Sequence, residues 1–281
     1  MMKRTSKPNL ERLETRDTPS VSATYSTGIL TVCGDDAANN IVVSADAAGN
    51  LRVTNNAALV PIQTITGAPT TAGLTLVTVD AMAGADTIVL DRSLNTLDAN
   101  GALAASPNAL LWGGPGADFI NPLIGGFLGG IVGNPIVGNV VSRGGPGNDF
   151  INSGFGNDIM FGGKGDDTFQ WLPGTLVDAF FGGDGFDTGV VVGNDNGQAD
   201  AFLLAQDPSV PGGVLFQRTN LVPFSIAMQD IEKVKLMTQS GDDTIQVNNL
   251  RGTDVVKVVA DGGLGNDAVI QNDPGVLVVV K

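Results

Sequence analysis

Three features of the sequence predict an all-β fold of short strands joined by tight glycine–aspartate turns. A nine-residue unit, Gly-Gly-x-Gly-x-Asp followed by a three-residue strand, recurs through the middle of the chain. Runs rich in Val, Ile and Thr, bounded by Asn, Gly, Asp or Pro, fill the rest. Helix signals are nearly absent, the best being the weak candidates Leu97–Ala105 and Asp200–Gln206. The 281 residues allow one large domain or two modest ones. Glycine, at 39, is about twice as frequent as usual.

Residues 1–22 are expected to lie outside the fold as a disordered basic leader. Lys3, Arg4, Lys7, Arg12 and Arg16 outnumber Glu11, Glu14 and Asp17, yet the apolar stretch of an export signal does not follow. Residues 10–20, LERLETRDTPS, resemble the LExLExRxxPS leader of large planctomycete surface proteins. Residues 23–112 form an N-terminal β region with strand-like runs at Ile41–Ser44, Leu51–Thr54, Leu74–Val79 and Thr87–Leu90. Cys33 is the only cysteine, so an internal disulfide is impossible. Its run, Ile29–Cys33, favours a buried thiol, and Asp35 and Asp36 discourage a thiolate.

Residues 113–190 carry the repeat. Gly113–Asn121 reads GGPGADFIN, and five units then run in tandem over 144–190: GGPGNDFIN, SGFGNDIMF, GGKGDDTFQ, PGTLVDAFF and GGDGFDTGV, with Trp171 and Leu172 intervening before the fourth. The glycines permit positive φ and close backbone approach. Asp is short enough to place its carboxylate inside a six-residue turn, whereas Glu, one methylene longer, is expected to have no place there. Calcium takes six to eight oxygens, and bent turns present carbonyls for that purpose. The strand that follows has a central apolar residue (Ile120, Ile151, Met160, Phe169, Phe180) that alternation points inward. One unit is thus a turn plus a strand, and two units make one coil.

On these residues the chain resembles the RTX, or haemolysin-type, calcium-binding nonapeptide family, whose pattern is GGxGxDxUx. The resemblance implies a right-handed parallel β-roll, or β-solenoid, with calcium held between same-side turns of successive coils. Asp149 would then pair with Asp167, Asp158 with Asp178, and Asp167 with Asp187, the carbonyls of Gly144, Gly147, Gly163 and Gly165 completing the shells. Leu176 and Gly189 depart from the pattern, which puts the Asp158–Asp178 site and the end of the roll in question. The isolated copies ending at Asp86, Asp118, Asp243 and Asp267 have no partner turn two units away in sequence; ordinary metal-free loops are an equal alternative there. Asp118 and Asp267 are kept as candidate ligands.

Five units make only about two and a half coils, too short to bury a core alone, so the flanks must cap them. Val77–Leu90 and Val234–Val247 align without gaps as strand, acidic glycine turn, strand. Together with the C-terminal β region, 191–281, they predict either degenerate solenoid coils or sandwich-like strands. The apolar, glycine-rich insertion 121–142 is uncharged and long enough for a membrane helix, but Pro122, Pro135 and its glycines argue for a loop or decayed coil.

Acidic residues number 29 against 15 basic, giving a net charge of −14; 26 of the acids are Asp, and histidine is absent. Histidine-based nucleophile systems and imidazole metal sites are thereby excluded. Nucleic acid would be repelled. The expectation is a secreted or cell-surface calcium-binding protein with a structural or interaction role, folding as Ca2+ binds outside the cell. The alternative is an adhesin or matrix component with a cell-surface glycan or protein partner. An RTX-type enzyme, such as a calcium-dependent polysaccharide lyase, has less support, and the chain is expected not to be an enzyme. Membrane insertion is not expected.

Overall fold

The computed structural model describes residues 21–97, 103–122, 138–154, 156–171, 177–193, 195–221 and 223–281. Of the expected leader, residues 1–20 lie outside the described residues, as do Leu172, Leu176 and most of the apolar insertion. Val21 is buried in the core and Ser22 opens the first strand.

An antiparallel hairpin, β1 (Ser22–Ser26) and β2 (Ile29–Cys33), begins the fold. An antiparallel meander of β3 (Asn40–Ala45), β4 (Leu51–Asn55) and β5 (Ala58–Val60) follows, then β6 (Ile62–Thr66), parallel to β1. Next come β7 (Leu76–Asp80) and β8 (Thr87–Leu90), a short pair β9 (Thr96–Leu97) and β10 (Leu103–Ala105), then β11 (Asn108–Trp112) and β12 (Phe119–Pro122). The tandem repeats form β13 (Val140–Pro146), β14 (Phe150–Asn152), β15 (Ile159–Lys164), β16 (Thr168–Trp171), β17 (Val177–Asp184) and β18 (Thr188–Val192). A hairpin, β19 (Ala201–Gln206) and β20 (Val214–Arg218), is inserted before β21 (Phe224–Gln229) and β22 (Lys233–Met237). The chain closes with β23 (Thr244–Val247), β24 (Lys257–Asp261), β25 (Ala268–Gln271) and β26 (Leu277–Val280).

Outside the antiparallel segments, successive strands alternate between two long sheets, one of 13 strands and one of 11. In the first, β7, β11, β13, β15, β17 and β21 lie side by side in parallel; in the second, β8, β12, β14, β16, β18, β22, β24 and β26 do the same. Two units therefore make one coil of a parallel β-solenoid. Of the two expectations for the flanks, the solenoid is the one found: β7 and β8, and β22 and β24, continue the same sheets. Antiparallel strands cover the N-terminal end.

Alternation at period two builds the core between the sheets. Every second residue is inward and buried: Val77 and Val79, Ile88, Ala109 and Leu111, Ile120, Ile151, Met160, Phe169, Phe180. Gly189 does not end the roll, because the space its side chain would take is filled by Met228 and Phe180. The same alternation overrides the helical composition at Asp200–Gln206, which from Ala201 on is strand β19 with Phe202 and Leu204 inward. The described ends of the other helix candidate are likewise strands, β9 and β10. Cys33 is half-buried rather than buried, since Val32 takes the inward place in β2.

Stacking one turn directly on the next requires glycine. Gly147 has φ +148°, and a β-carbon there would overlap the carbonyl oxygen of Gly116 in the preceding coil. Gly147→Ala is expected to destabilise the chain by about 1–3 kcal/mol of backbone strain plus about 1–3 kcal/mol for the displaced neighbour. Gly197→Ala, at φ +69° with nothing within 4 Å, should show the strain alone. Thermal melts of the two variants check the difference.

Candidate metal centre

The turns leading from the first sheet to the second stack along one edge of the solenoid, and their aspartates form a column. The backbone N–H of Asp86 donates to Asp118 Oδ1 (2.7 Å), Asp118 to Asp149 (2.8 Å), Asp149 to Asp167 (2.7 Å) and Asp167 to Asp187 (2.7 Å). Asn39 N–H enters the column at Asp86 Oδ1 (2.7 Å), and Asp187 N–H leaves it at Glu232 Oε2 (2.6 Å). Each Asp thus uses one carboxylate oxygen to hold the turn before it.

The other oxygen has no such use. Oδ2 of Asp86, Asp118, Asp149, Asp167 and Asp187 is buried without a hydrogen-bond partner among the described residues, and none of these five residues is more than 3% exposed. A buried, ionised carboxylate oxygen facing no donor is strongly unfavourable unless a proton or a cation meets it. In the full repeats Oδ2 folds back over the first glycine of its own turn: a β-carbon on Gly113, Gly144, Gly162 or Gly182 would overlap the carboxylates of Asp118, Asp149, Asp167 and Asp187 respectively. The carbonyl oxygens of Gly147, Gly163 and Gly165 lie against Gly165, Gly183 and Gly185 of the next coil, while that of Gly144 accepts from Gly114 N–H (2.8 Å).

Burial, the largest cause, raises the pKa of each of these groups above the usual carboxylate range. Asp118 and Asp167 are pushed up to about 7, Asp149 and Asp187 to about 6, and Asp86 upward. Neighbouring carboxylates add to the rise at Asp118, Asp167 and Asp187. A column of anions held this close is primed for a multivalent cation.

The opposite edge carries shorter columns. Val140 N–H donates to Asp158 Oδ1 (2.8 Å) and Asp158 N–H to Asp178 Oδ1 (2.9 Å), so these two turns stack although the position of Leu176 departs from the repeat. Burial raises Asp158 to about 7. Nearer the C-terminus, Asp200 N–H donates to Asp243 Oδ1 (2.7 Å) and Asp243 N–H to Asp267 Oδ1 (2.9 Å). Asp200 forms a buried ion pair with Arg218 of the inserted hairpin.

Every candidate aspartate from the sequence therefore lies in a column, and Asp149, Asp158 and Asp167 meet Asp167, Asp178 and Asp187 as the two-unit spacing requires. Sequence reasoning missed three things. Asp86 and Asp118 are not isolated, since they stack on the tandem repeats, and Asp243 and Asp267 stack on each other. Glu232 has a place after all, because its turn is only three residues long, Asp230–Glu232, and the extra methylene makes up the reach. Arg218 was not anticipated. Among the described residues no three carboxylate, imidazole or thiol side chains converge on one point. Backbone carbonyls must supply the other donors, and an all-oxygen set suits a hard cation.

Fold and columns together define a cation-binding β-solenoid. Residues 141–169 match the family model of the RTX calcium-binding nonapeptide repeat (4 copies). No curated protein matches the chain. The chain thus carries RTX calcium-binding nonapeptide repeats, and the ion these repeats bind is Ca2+. The unpartnered Oδ2 atoms of Asp149 and Asp167, within or beside glycine turns of that segment, fit such an ion. No helix among the described residues is long and apolar enough to cross a membrane.

Proposed function

We propose that the chain is an extracellular or cell-surface calcium-binding protein, non-enzymatic, whose turns capture Ca2+ and thereby complete folding outside the cell. The observation that carries this reading is the column of buried aspartates, each with one carboxylate oxygen lacking a donor. The ligands are Oδ2 of Asp118, Asp149, Asp158, Asp167 and Asp187, together with Asp178 and Asp267 and the carbonyls of Gly144, Gly147, Gly163 and Gly165. Without the ion, desolvated like charges oppose stacking; with it, binding to the folded state adds to stability. At the low calcium of a cell interior the roll stays loose, which suits export.

Circular dichroism in EGTA and then in millimolar calcium tests this. Strand signal that grows on adding calcium is expected; identical spectra would sink the proposal.

An adhesin role is the second reading, favoured by one observation. Trp112, Arg143, Phe161 and Phe181 stand in register on the outward face of the first sheet. Arg143 lies 4.3 Å over the Phe161 ring, which stacks on Phe181 at 4.9 Å. Such a stripe offers a cation and ring edges to a ligand. Adhesion unchanged on replacing Arg143 and Phe181 with Ala would count against it.

A further inference from the structure

Two turns outside the matched segment have lost most of the repeat signature but none of its architecture. Turn 81–86 reads AMAGAD and turn 238–243 reads TQSGDD, so only the third glycine and the aspartate remain. Each nevertheless stacks on a full turn through the same four hydrogen bonds that join turns 113–118 and 144–149. In that reference pair, Gly113 N–H donates to Arg143 O, Gly116 N–H to Pro146 O, Asp118 N–H to Asp149 Oδ1, and Phe150 N–H to Asp118 O.

At the first degenerate turn the corresponding bonds are Ala81 N–H to Trp112 O (2.9 Å), Gly84 N–H to Pro115 O (2.9 Å), Asp86 N–H to Asp118 Oδ1 (2.7 Å) and Phe119 N–H to Asp86 O (2.8 Å). At the second they are Thr238 N–H to Asp261 O (3.0 Å), Gly241 N–H to Leu264 O (2.9 Å), Asp243 N–H to Asp267 Oδ1 (2.9 Å) and Ala268 N–H to Asp243 O (2.8 Å).

The backbone keeps the repeat conformation even where the residue opposes it. Met82 and Gln239 occupy the second-glycine position at φ +73° and +75°, a region side chains rarely enter, where Gly114 and Gly145 stand at +102° and +122°. The carbonyls of Met82 and Gln239 lie against Gly114 and Gly263, and those of Gly84 and Gly241 against Gly116 and Gly265, as the carbonyls of Gly114 and Gly116 lie against Gly145 and Gly147. The first glycine is replaced by Ala81 and by Thr238, whose hydroxyl donates to Gly262 O (2.9 Å). Finally, Asp86 and Asp243 are 2% and 1% exposed, and Oδ2 of each is buried with no partner among the described residues. A strained turn that retains a buried, unpartnered carboxylate oxygen and a set of carbonyls has the parts of the full repeats.

We propose that turns 81–86 and 238–243 hold one calcium ion each, anchored by Asp86 Oδ2 and Asp243 Oδ2, so that calcium is bound well beyond residues 141–169 on both sides. The proposal rests on the calcium reading of the repeats. Asp86→Asn and Asp243→Asn keep Oδ1 for the stacking bond and replace the ligating oxygen with an amide nitrogen.

Calorimetric calcium titration of the full chain should show one ion fewer for each variant and two fewer for the double variant. Unchanged stoichiometry in both variants overturns the inference while leaving the repeat sites standing. A parent chain that binds no calcium at all overturns the underlying reading instead. Crystals of the unaltered chain with terbium in place of calcium give a second answer that does not depend on variant folding. Anomalous peaks at turns 81–86 and 238–243 support the sites. Peaks confined to the full GGxGxD turns overturn them.

Discussion

Asp167→Asn is expected to change the sign of its effect with calcium: more stable than the parent in EGTA near neutral to mildly alkaline pH, less stable in millimolar calcium. Asp167 sits mid-column, its Oδ1 accepting Asp149 N–H and its own N–H reaching Asp187 Oδ1. Asparagine preserves both bonds. What it removes is a buried charge flanked by Asp149, Asp187 and Asp166, each of which disfavours ionisation there. Without metal that removal relieves the fold. With metal it deletes a ligand, and each site lost forfeits about 2.7 kcal/mol at a calcium concentration one hundred times its Kd. Asp167→Ala differs, since it also strands the buried N–H of Asp149, at about 1–3 kcal/mol; it should be less stable than the asparagine variant in both conditions. Thermal melts of parent and variants with EGTA and with calcium check this. An asparagine variant destabilised equally in both would make the carboxylate a structural acceptor and nothing more.

The tandem turns could be read from the sequence because their geometry is local. A six-residue turn, a short strand and a two-unit coil place Asp149 beside Asp167, and nothing distant intervenes. Asp86 and Asp118 escaped the same logic because the intervals lengthen from 18 residues between Asp149 and Asp167 to 31 and 32 among Asp86, Asp118 and Asp149. The added chain, residues 91–107 and 123–139, falls between the last strand of one coil and the first strand of the next. The stacked edge therefore keeps its register while the sequence spacing loses it. Glu232 was hidden by a shortened turn, which no residue-type rule anticipates.

Arg218 was hidden for another reason. Its partner strand, Ala201–Gln206, has helical composition, and only the inward alternation of Phe202 and Leu204 against the core makes it a strand with Arg218 paired opposite Phe202. Aromatic residues are scarce, yet they gather where this insertion meets the roll: Trp171 stacks on Phe224 at 4.0 Å, and Phe216 lies 5.0 Å from Phe202 and 5.7 Å from Phe224. That packing is tertiary, and a reading of local pattern does not reach it.

Metal-free protein is expected to lose stability as pH rises from about 4 to about 7, the reverse of ordinary acid denaturation. Asp118, Asp158 and Asp167 are raised to about 7, and Asp149 and Asp187 to about 6, from an ordinary value of 3.8, burial being the first cause in each. Between 3.8 and those values the folded chain holds protons that the unfolded chain has released. Stability then falls with pH, since its slope follows the protons bound by the unfolded state minus those bound by the native one. A tenfold difference in proton affinity between the two states corresponds to about 1.4 kcal/mol per group. A net change of only about 2 kcal/mol would lower the midpoint by about 3–4 °C in a chain of this size. Calcium reverses the trend, because it binds the deprotonated carboxylates. The gain in melting temperature on adding calcium should therefore be small near pH 4.5 and grow through pH 6 to 7. Melts at pH 4.5, 6 and 8, with EGTA and with calcium, separate the two arms. A metal-free midpoint that climbs with pH over that range would mean that the column aspartates are ionised and satisfied without a cation.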